Sequence, residues 1–504
     1  MSQSLPEAPR IRLRAASDAL RDATLARADA GVILLPAAEA RAALAKLPQA
    51  ALWQRLYQAN RRTVPAPILS TRLANRRGTL VVVGFLPESP SAFQRLQLAG
   101  RLMREAVKPG VVDLALHTVG LPAAQSRAAL EALASAALAA AAPMPSRRST
   151  PPPRGDLRRV TIAGRGLDLD AIAAEAEGNH LARWLAMLPP NELDAAGYRR
   201  ALRVLATREG WGFRFYDERA LRRLGAGAFL AVSRANDHRA SGIVRLRYRP
   251  RGRTARRLAL VGKGICFDTG GVNLKTHRSM YLMHGDMQGS AVAVGTLLAL
   301  TRRRMRVEVD CWLAITENEI GPSAYRPQDV VRALNGVTIQ VVHSDAEGRM
   351  VLADTLALAA RERPALLLDF ATLTGACVNA LTERYSGAFT NRPELHDDLQ
   401  RVGRTSGERV WCFPMDEDFD SDLESPIADV LQCSLEGKGD HILAARFLNR
   451  FVPEALPWVH LDLAASDRKG GLAHVPTEFT GFGVRYASRL LADPAFLGRL
   501  ERPR

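Results

Sequence analysis

Short apolar runs recur along this chain, most of them separated by helical patterns. Before residue 142 they are "GVILLP", "GTLVVVGF" and "VVDLALHTV". Later come "GFRFYD", "GIVRLRY", "RRLALVG", "VEVDCWLAI", "VTIQVV", "PALLLDF" and "WVHLDLA". Segments such as "SAFQRLQLAGRLMREAV" and "DMQGSAVAVGTLLALTRRR" carry the 3.6-residue apolar period of helices. Strands alternating with helices predict α/β architecture with largely parallel sheets. In such sheets functional residues collect just beyond the carboxyl ends of the strands.

A break divides the pattern. An alanine-rich helical stretch is followed by five prolines within residues 143–153, which fit neither a helix interior nor a central strand. Charge changes there too. Residues 1–165 hold 24 Lys and Arg against 10 Asp and Glu, a net +14, whereas the remainder holds 45 against 42, a net +3. We therefore expect a smaller basic N-terminal βαβ domain over residues 1–142, a proline-rich linker over 143–165, and a larger C-terminal domain over 166–504. The larger domain should have a mostly parallel, mixed central sheet.

No apolar run reaches the roughly 18 residues of a membrane span. The opening "MSQSLPEAPRIRLRAASDALRD" lacks the apolar centre of a signal peptide. Five scattered cysteines form no CxxC pair, which points to reduced thiols and a cytoplasmic protein.

Two strand exits carry the chemistry. After "RRLALVG" comes "KGICFDTGGVNLK", with Lys263, Asp268 and Lys275 among Gly262, Gly264, Gly270 and Gly271. The glycines predict a tight loop where backbone approaches something closely. A phosphate cradle would need G-x-x-x-x-G-K-[ST], and that order is absent. Asp286 follows at the start of a long helical pattern, where alone it would read as an N-cap. After "VTIQVV" comes "HSDAEGR", with Asp345, Glu347 and Arg349. Alone, that spacing would suit a solvated turn with a surface ion pair. Apolar runs flank it on both sides, however, and carboxylates that converge in a partly buried pocket repel unless cations hold them. Three carboxylates from two loops, with Asp286, are what a pair of divalent ions requires.

The segments "VGKGICFDTGG", "MHGDMQGSA", "SDAEGRMVLADTL" and "ATLTGA" resemble the leucyl aminopeptidase, or cytosol aminopeptidase, family of two-metal exopeptidases. "PPNEL", "GAFLAV", "TENEIGPSAYRPQDV", "FLNRFV" and "TGFGVR" extend the resemblance over roughly residues 180–490. It implies a tighter metal held by Lys263, Asp268, Asp286 and Glu347, and a more exchangeable one held by Asp268, Asp345 and Glu347. The ions would be Mn²⁺ or Zn²⁺. Lys275 would polarise the substrate carbonyl, and Arg349 would hold a bicarbonate acting as general base. Met283, Thr372, Gly375 and Ala464 would line an apolar pocket for the first side chain of a peptide substrate, with leucine or methionine preferred. The family's assembly is a homohexamer of two stacked trimers.

The chain departs from the family pattern at His343-Ser344, at His284, at "AVSRAND" and at "DLAASDRKGG". None of these removes an expected metal or catalytic residue. They affect the substrate edge, where His284 and His343 read as polar lining or as additional ligands. An alternative role added to peptidase activity is nucleic-acid binding by the basic N-terminal domain.

Overall fold

The computed structural model describes residues 5–7, 11–16, 20–60, 67–150, 155–252 and 256–500. The first sheet contains β1 (Arg12–Ala16), β2 (Ala30–Pro36), β3 (Leu69–Arg72), β4 (Leu80–Leu86), β5 (Asp113–Thr118) and β6 (Arg159–Ala163). Their order is β1-β6-β5-β2-β4-β3, and every pair is parallel except β3 with β4. The helix Ala92–Ala106 is opened by a reciprocal cap between Ser91 and Gln94. It packs against the helix Ala123–Ala141, whose alanines are buried from Ala129 to Ala139.

β6 corrects one boundary. It lies inside residues 143–165, the stretch expected to be linker, yet it pairs with both β1 and β5. Its five residues are too short, and too close to the proline run, to show a strand period of their own. The first sheet therefore ends near Ala163.

The second sheet has eight strands: β7 (Gly212–Asp217), β8 (Gly242–Tyr248), β9 (Arg257–Asp268), β10 (Glu308–Asn318), β13 (Leu366–Ala371), β14 (Ser386–Thr390), β15 (Val410–Cys412) and β17 (Trp458–Asp462). Their order is β15-β14-β17-β13-β9-β10-β8-β7. The central four, β17, β13, β9 and β10, run parallel, while β14 against β17 and β8 against its two neighbours are antiparallel. Helices cover both faces. One face buries residues of the helices Leu169–Ala186, Ala195–Glu209, Gln288–Arg302 and Val484–Leu490. The other buries the helices Gly227–Ser233, Glu347–Ala360 and Asp440–Asn449. Central strands covered on both faces explain their nearly continuous apolar runs.

Two local expectations change. "VTIQVV" contributes β12 (Thr338–Gln340), which pairs with β11 (Val330–Arg332) and β16 (Val430–Leu431) in a separate small sheet. β9 also continues beyond "RRLALVG" to Asp268, so Lys263 lies within the strand. Its glycines are explained by packing. A Cβ at Gly262 would lie 2.4 Å from Ser290 Cα, and one at Gly289 would lie 2.1 Å from the Phe370 carbonyl oxygen. The helix Gln288–Arg302 thus rests with its backbone almost on β9 and β13. Its outer side meets the helix Leu169–Ala186 at another glycine pair, where a Cβ at Gly178 would lie 2.3 Å from the Gly295 oxygen.

The two domains are joined by ion pairs. Arg485 and Arg489 of the second domain reach Glu131 on the alanine-rich helix and the buried Glu175.

The glycine crossing gives a direct test. Gly178→Ala should destabilise the protein by about 1–3 kcal/mol, the usual range for overpacking a rigid contact. Gly498→Ala, where nothing lies within 4 Å of the added carbon, should leave the unfolding temperature unchanged or slightly higher. Comparison of the two thermal unfolding midpoints checks this; an unchanged midpoint for Gly178→Ala would contradict the close crossing.

Candidate metal centre

The carboxyl ends of the parallel strands converge at one edge of the second sheet. β9 delivers Asp268 at its end and Lys263 from within, and β10 delivers Asn318. β13 leads into Thr372, and β17 ends at Asp462. Asp286 stands just before the helix Gln288–Arg302. Glu347 is the first residue of the helix Glu347–Ala360, where the helix dipole favours a negative charge.

These elements bring six of the expected residues together. Lys263 Nζ lies 2.8 Å from Asp286 Oδ2 and 2.8 Å from Glu347 Oε1, and it donates to the Thr372 carbonyl at 2.9 Å. Lys275 Nζ lies 2.8 Å from Asp268 Oδ2 and 2.5 Å from Asp345 Oδ1. Carboxylate oxygens of Asp268, Asp286 and Glu347 all fall within 4.8 Å of one another. All three residues are buried, as is Lys263.

The lysine reaches this position because residue 348 is glycine. A Cβ at Gly348 would lie 2.6 Å from Lys263 Cε and 2.8 Å from its Nζ. The glycine of "DAEGR" therefore leaves room for a side chain from another element. The loop after β9 shows a different use of glycine: Gly270 and Gly271 adopt positive φ values of 86° and 64°, which turn the chain back toward Lys275.

Electrostatics are severe. Four carboxylates face two ammonium groups, an excess of two negative charges when all are ionised. Burial, followed by the charge of Asp268, pushes the Asp345 carboxyl up to about 7. Burial also raises Asp286 and Glu347. Burial alone would lower Lys263, but Asp286, Glu347 and Asp268 outweigh it and raise its pKa.

Surrounding groups fix individual oxygens. Asp268 Oδ1 accepts from the Gly270 amide at 2.9 Å and from Asn318 Nδ2 at 2.8 Å. Thr372 Oγ1 donates to Asp286 Oδ1 at 2.6 Å. Ser344 anchors its loop by donating to the Gly270 carbonyl at 2.6 Å, and its own carbonyl accepts from Tyr325 at 2.6 Å. Asp286 Oδ2, Asp345 Oδ1 and Glu347 Oε1 are shielded from solvent without a hydrogen bond of good geometry, and each faces a lysine instead. Clustered oxygen donors, excess negative charge and under-satisfied buried oxygens fit divalent metal ions.

The remaining expected residues are placed differently. Arg349 is buried, with Nη2 on both oxygens of Asp440 at 2.9 and 2.7 Å and Nη1 on the Gln432 carbonyl at 3.2 Å. Its Nε has no hydrogen-bond partner among the described residues. Thr372 donates its hydroxyl to Asp286 and accepts from Lys263 at its carbonyl. Met283 is half-buried in the turn before Asp286, Gly375 is exposed, and Ala464 is buried beyond β17. His284 packs edge-on against Phe479, with ring centres 5.3 Å apart. His343 Nδ1 accepts the Asp345 amide at 3.3 Å. Neither histidine is among the close group of ligand atoms.

Asn318, Gln432 and Asp440 escaped the sequence reading. Asn318 stands at the end of "VEVDCWLAITEN", so the strand-end rule applied one strand further would have found it. Gln432 accepts the amides of Val342 and His343, and Asp440 holds Arg349. Gln432 precedes the helix Asp440–Asn449 and Asp440 begins it, both about 90 residues downstream of the segment they support, and no local pattern marks them.

Residues 180–487 match the catalytic domain of the cytosol aminopeptidase family. A probable cytosol aminopeptidase of Rhodopseudomonas palustris is 38% identical over 318 residues, which is 63% of this chain and 63% of that relative's length. Among solved structures, the bottromycin maturation enzyme BotP in complex with manganese is 31% identical with a TM-score of 0.80, covering 92% of this chain and all of that one. A point mutant of tomato leucine aminopeptidase is 26% identical with a TM-score of 0.82, covering 97% and 98%. The match spans the strands and loops that carry Lys263, Asp268, Lys275, Asp286, Asp345 and Glu347, and this chain belongs to the cytosol aminopeptidase family.

Proposed function

We propose that this protein is a metallo-aminopeptidase that removes the N-terminal residue from peptides. One observation carries the reading: the buried group of four carboxylates and two lysines at the strand ends of this fold. Lys263, Asp268, Asp286, Asp345 and Glu347 would hold two divalent ions, Mn²⁺ or Zn²⁺. When bound, such ions supply Lewis acidity and a water of lowered pKa. Lys263 must release its proton to serve as a ligand, so metal binding and proton release are coupled at that nitrogen. Lys275 would then be freed from Asp268 and Asp345 to donate to the carbonyl oxygen of the scissile bond. Arg349 keeps an unpartnered Nε–H and a full positive charge, which suits retention of bicarbonate as the proton acceptor.

Met283, Gly375 and Ala464 would leave an apolar space for the first side chain, with Thr372 at its inner edge. We further infer a cytoplasmic enzyme assembled as a homohexamer, in keeping with the family resemblance. Nucleic-acid binding by the basic domain draws no support from the relatives. Two N-terminal arginines are instead occupied: Arg77 pairs with Asp29, and Arg159 with Asp113.

Chelation should abolish hydrolysis of leucine-p-nitroanilide, and added Mn²⁺ or Zn²⁺ should restore it. Asp345→Asn should lose one ion and most activity; full turnover by metal-free protein would refute the reading. Lys275→Ala and Arg349→Ala should each lower kcat by about 10²–10³-fold, the usual cost of an oxyanion partner. Metal analysis should still find close to two ions per chain, since neither residue is a ligand. N-terminal leucine and methionine should be cleaved readily, and an N-acetylated peptide should resist. Faster release of N-terminal aspartate than leucine would overturn the apolar pocket.

A further inference from the structure

A separate cavity of about 360 Å³ opens on the opposite face of the β9–β10 strand ends from the carboxylate centre. A bulge in β9 lies at the division, where Cys266 and Phe267 together stand opposite the single residue Glu317. Pairing with β9 shifts between Thr316 and Asn318. Neighbouring residues of β10 face opposite sides, so Asn318 turns to Asp268 and Glu317 to the cavity. Asp194, Asn236, Glu317 and Glu319 line it, with Phe267 and Ile320 as apolar wall. Asp237 and His238 complete the ionisable lining, and no lysine or arginine is part of it.

Two carboxylates there are anchored rather than mobile. Glu317 Oε1 accepts the Ala195 amide at 2.6 Å, and Asp194 Oδ1 accepts the Gly197 amide at 2.6 Å. Asn236 is only 5% exposed. Its Nδ2 donates to the Glu317 carbonyl at 3.1 Å and to Glu317 Oε2 at 3.3 Å. It also reaches Thr316 Oγ1 at 2.9 Å and Ser241 Oγ at 3.1 Å, and the Glu317 carbonyl, which can only accept, sets the amide orientation. Asn236 Oδ1 is then left buried with no hydrogen-bond partner among the described residues. An unpaired acceptor of this kind calls for a donor. Burial first, with Asp194 and Glu319 adding to it, pushes the Glu317 carboxyl up to about 7, as expected of an acid lacking a counter-charge.

We propose that this cavity binds an organic cation, an alkylguanidinium or alkylammonium group, through Glu317, Asn236 Oδ1 and the carboxylates of Asp194 and Glu319. A single metal ion does not fit: among the described residues only Asp268, Asp286 and Glu347 bring three such donors within 4.8 Å. The volume instead admits a group of several heavy atoms, its donors spread among separated acceptors and its stem against Phe267 and Ile320. The Asn236 oxygen adds a neutral acceptor, which a multi-donor cation uses alongside the carboxylates.

The test is calorimetric titration of the full-length, manganese-loaded protein with agmatine, a cation with no bond for a peptidase to cut. Loading first occupies the carboxylate centre. We expect saturable binding, weakened at least tenfold by Glu317→Gln and, independently, by Glu319→Gln on the cavity edge. No saturable binding, or binding unchanged in both variants, would overturn the proposal; so would displacement of agmatine by equimolar Ca²⁺ or Mg²⁺, which would mark a metal site instead. None of these readouts depends on peptidase activity. A second arm separates two sources of the cation. A lower KM for Leu-Gly-Arg than for Leu-Gly-Gln that disappears in Glu317→Gln assigns the site to a substrate side chain. Equal KM values with agmatine binding retained assign it to a free alkylguanidinium.

Discussion

Confinement of like charge organises this molecule. Asp268, Asp286 and Glu347 are buried with Asp345 half-buried beside them, and each would raise the energy of the others if left alone. Lys263 and Lys275 cancel half of that charge, and the remainder is a standing demand for cations. A buried network of this kind adds little net stability, because desolvation offsets the attraction. Its value is positional: each carboxylate is fixed by a different element, so the arrangement exists only when the whole second domain is folded.

Close backbone packing makes the confinement geometrically possible. The helix Gln288–Arg302 lies on β9 and β13 through Gly262 and Gly289, and on the helix Leu169–Ala186 through Gly178 and Gly295. That places Asp286, at its start, against the strand ends. Gly348 performs the same service for Lys263. Side chains elsewhere supply the adhesion, but here it is the absence of side chains that sets the distances. Interior packing at near-crystalline density means that even one added methyl group at such contacts must displace backbone.

The bulged end of β9 lies beside a second use of these strand ends. Alternation at the end of β10 turns Asn318 toward the carboxylate centre and Glu317 toward a second, differently composed cavity. The first gathers carboxylates tightly around lysines; the second spreads them around an unpaired amide oxygen. The N-terminal domain meets this body through Glu131 of its alanine-rich helix, which pairs with Arg485 and Arg489 of the second domain.

The sequence by itself determined the α/β architecture and most of the carboxylate centre. Apolar runs and helical periods are local properties, and Asp268, Asp286, Asp345 and Glu347 sit where strands or connections meet helices. It also marked Gly270 and Gly271, because a left-handed backbone leaves a local signature. Tertiary structure alone decided that Gly262 and Gly289 serve helix packing, that residues 159–163 complete the first sheet, and that "VTIQVV" leaves the main sheet. It alone paired Arg349 with Asp440 and left Asn236 Oδ1 without a partner. These outcomes depend on which distant segments come to lie side by side, and no periodicity or short motif encodes a contact between residues a hundred positions apart.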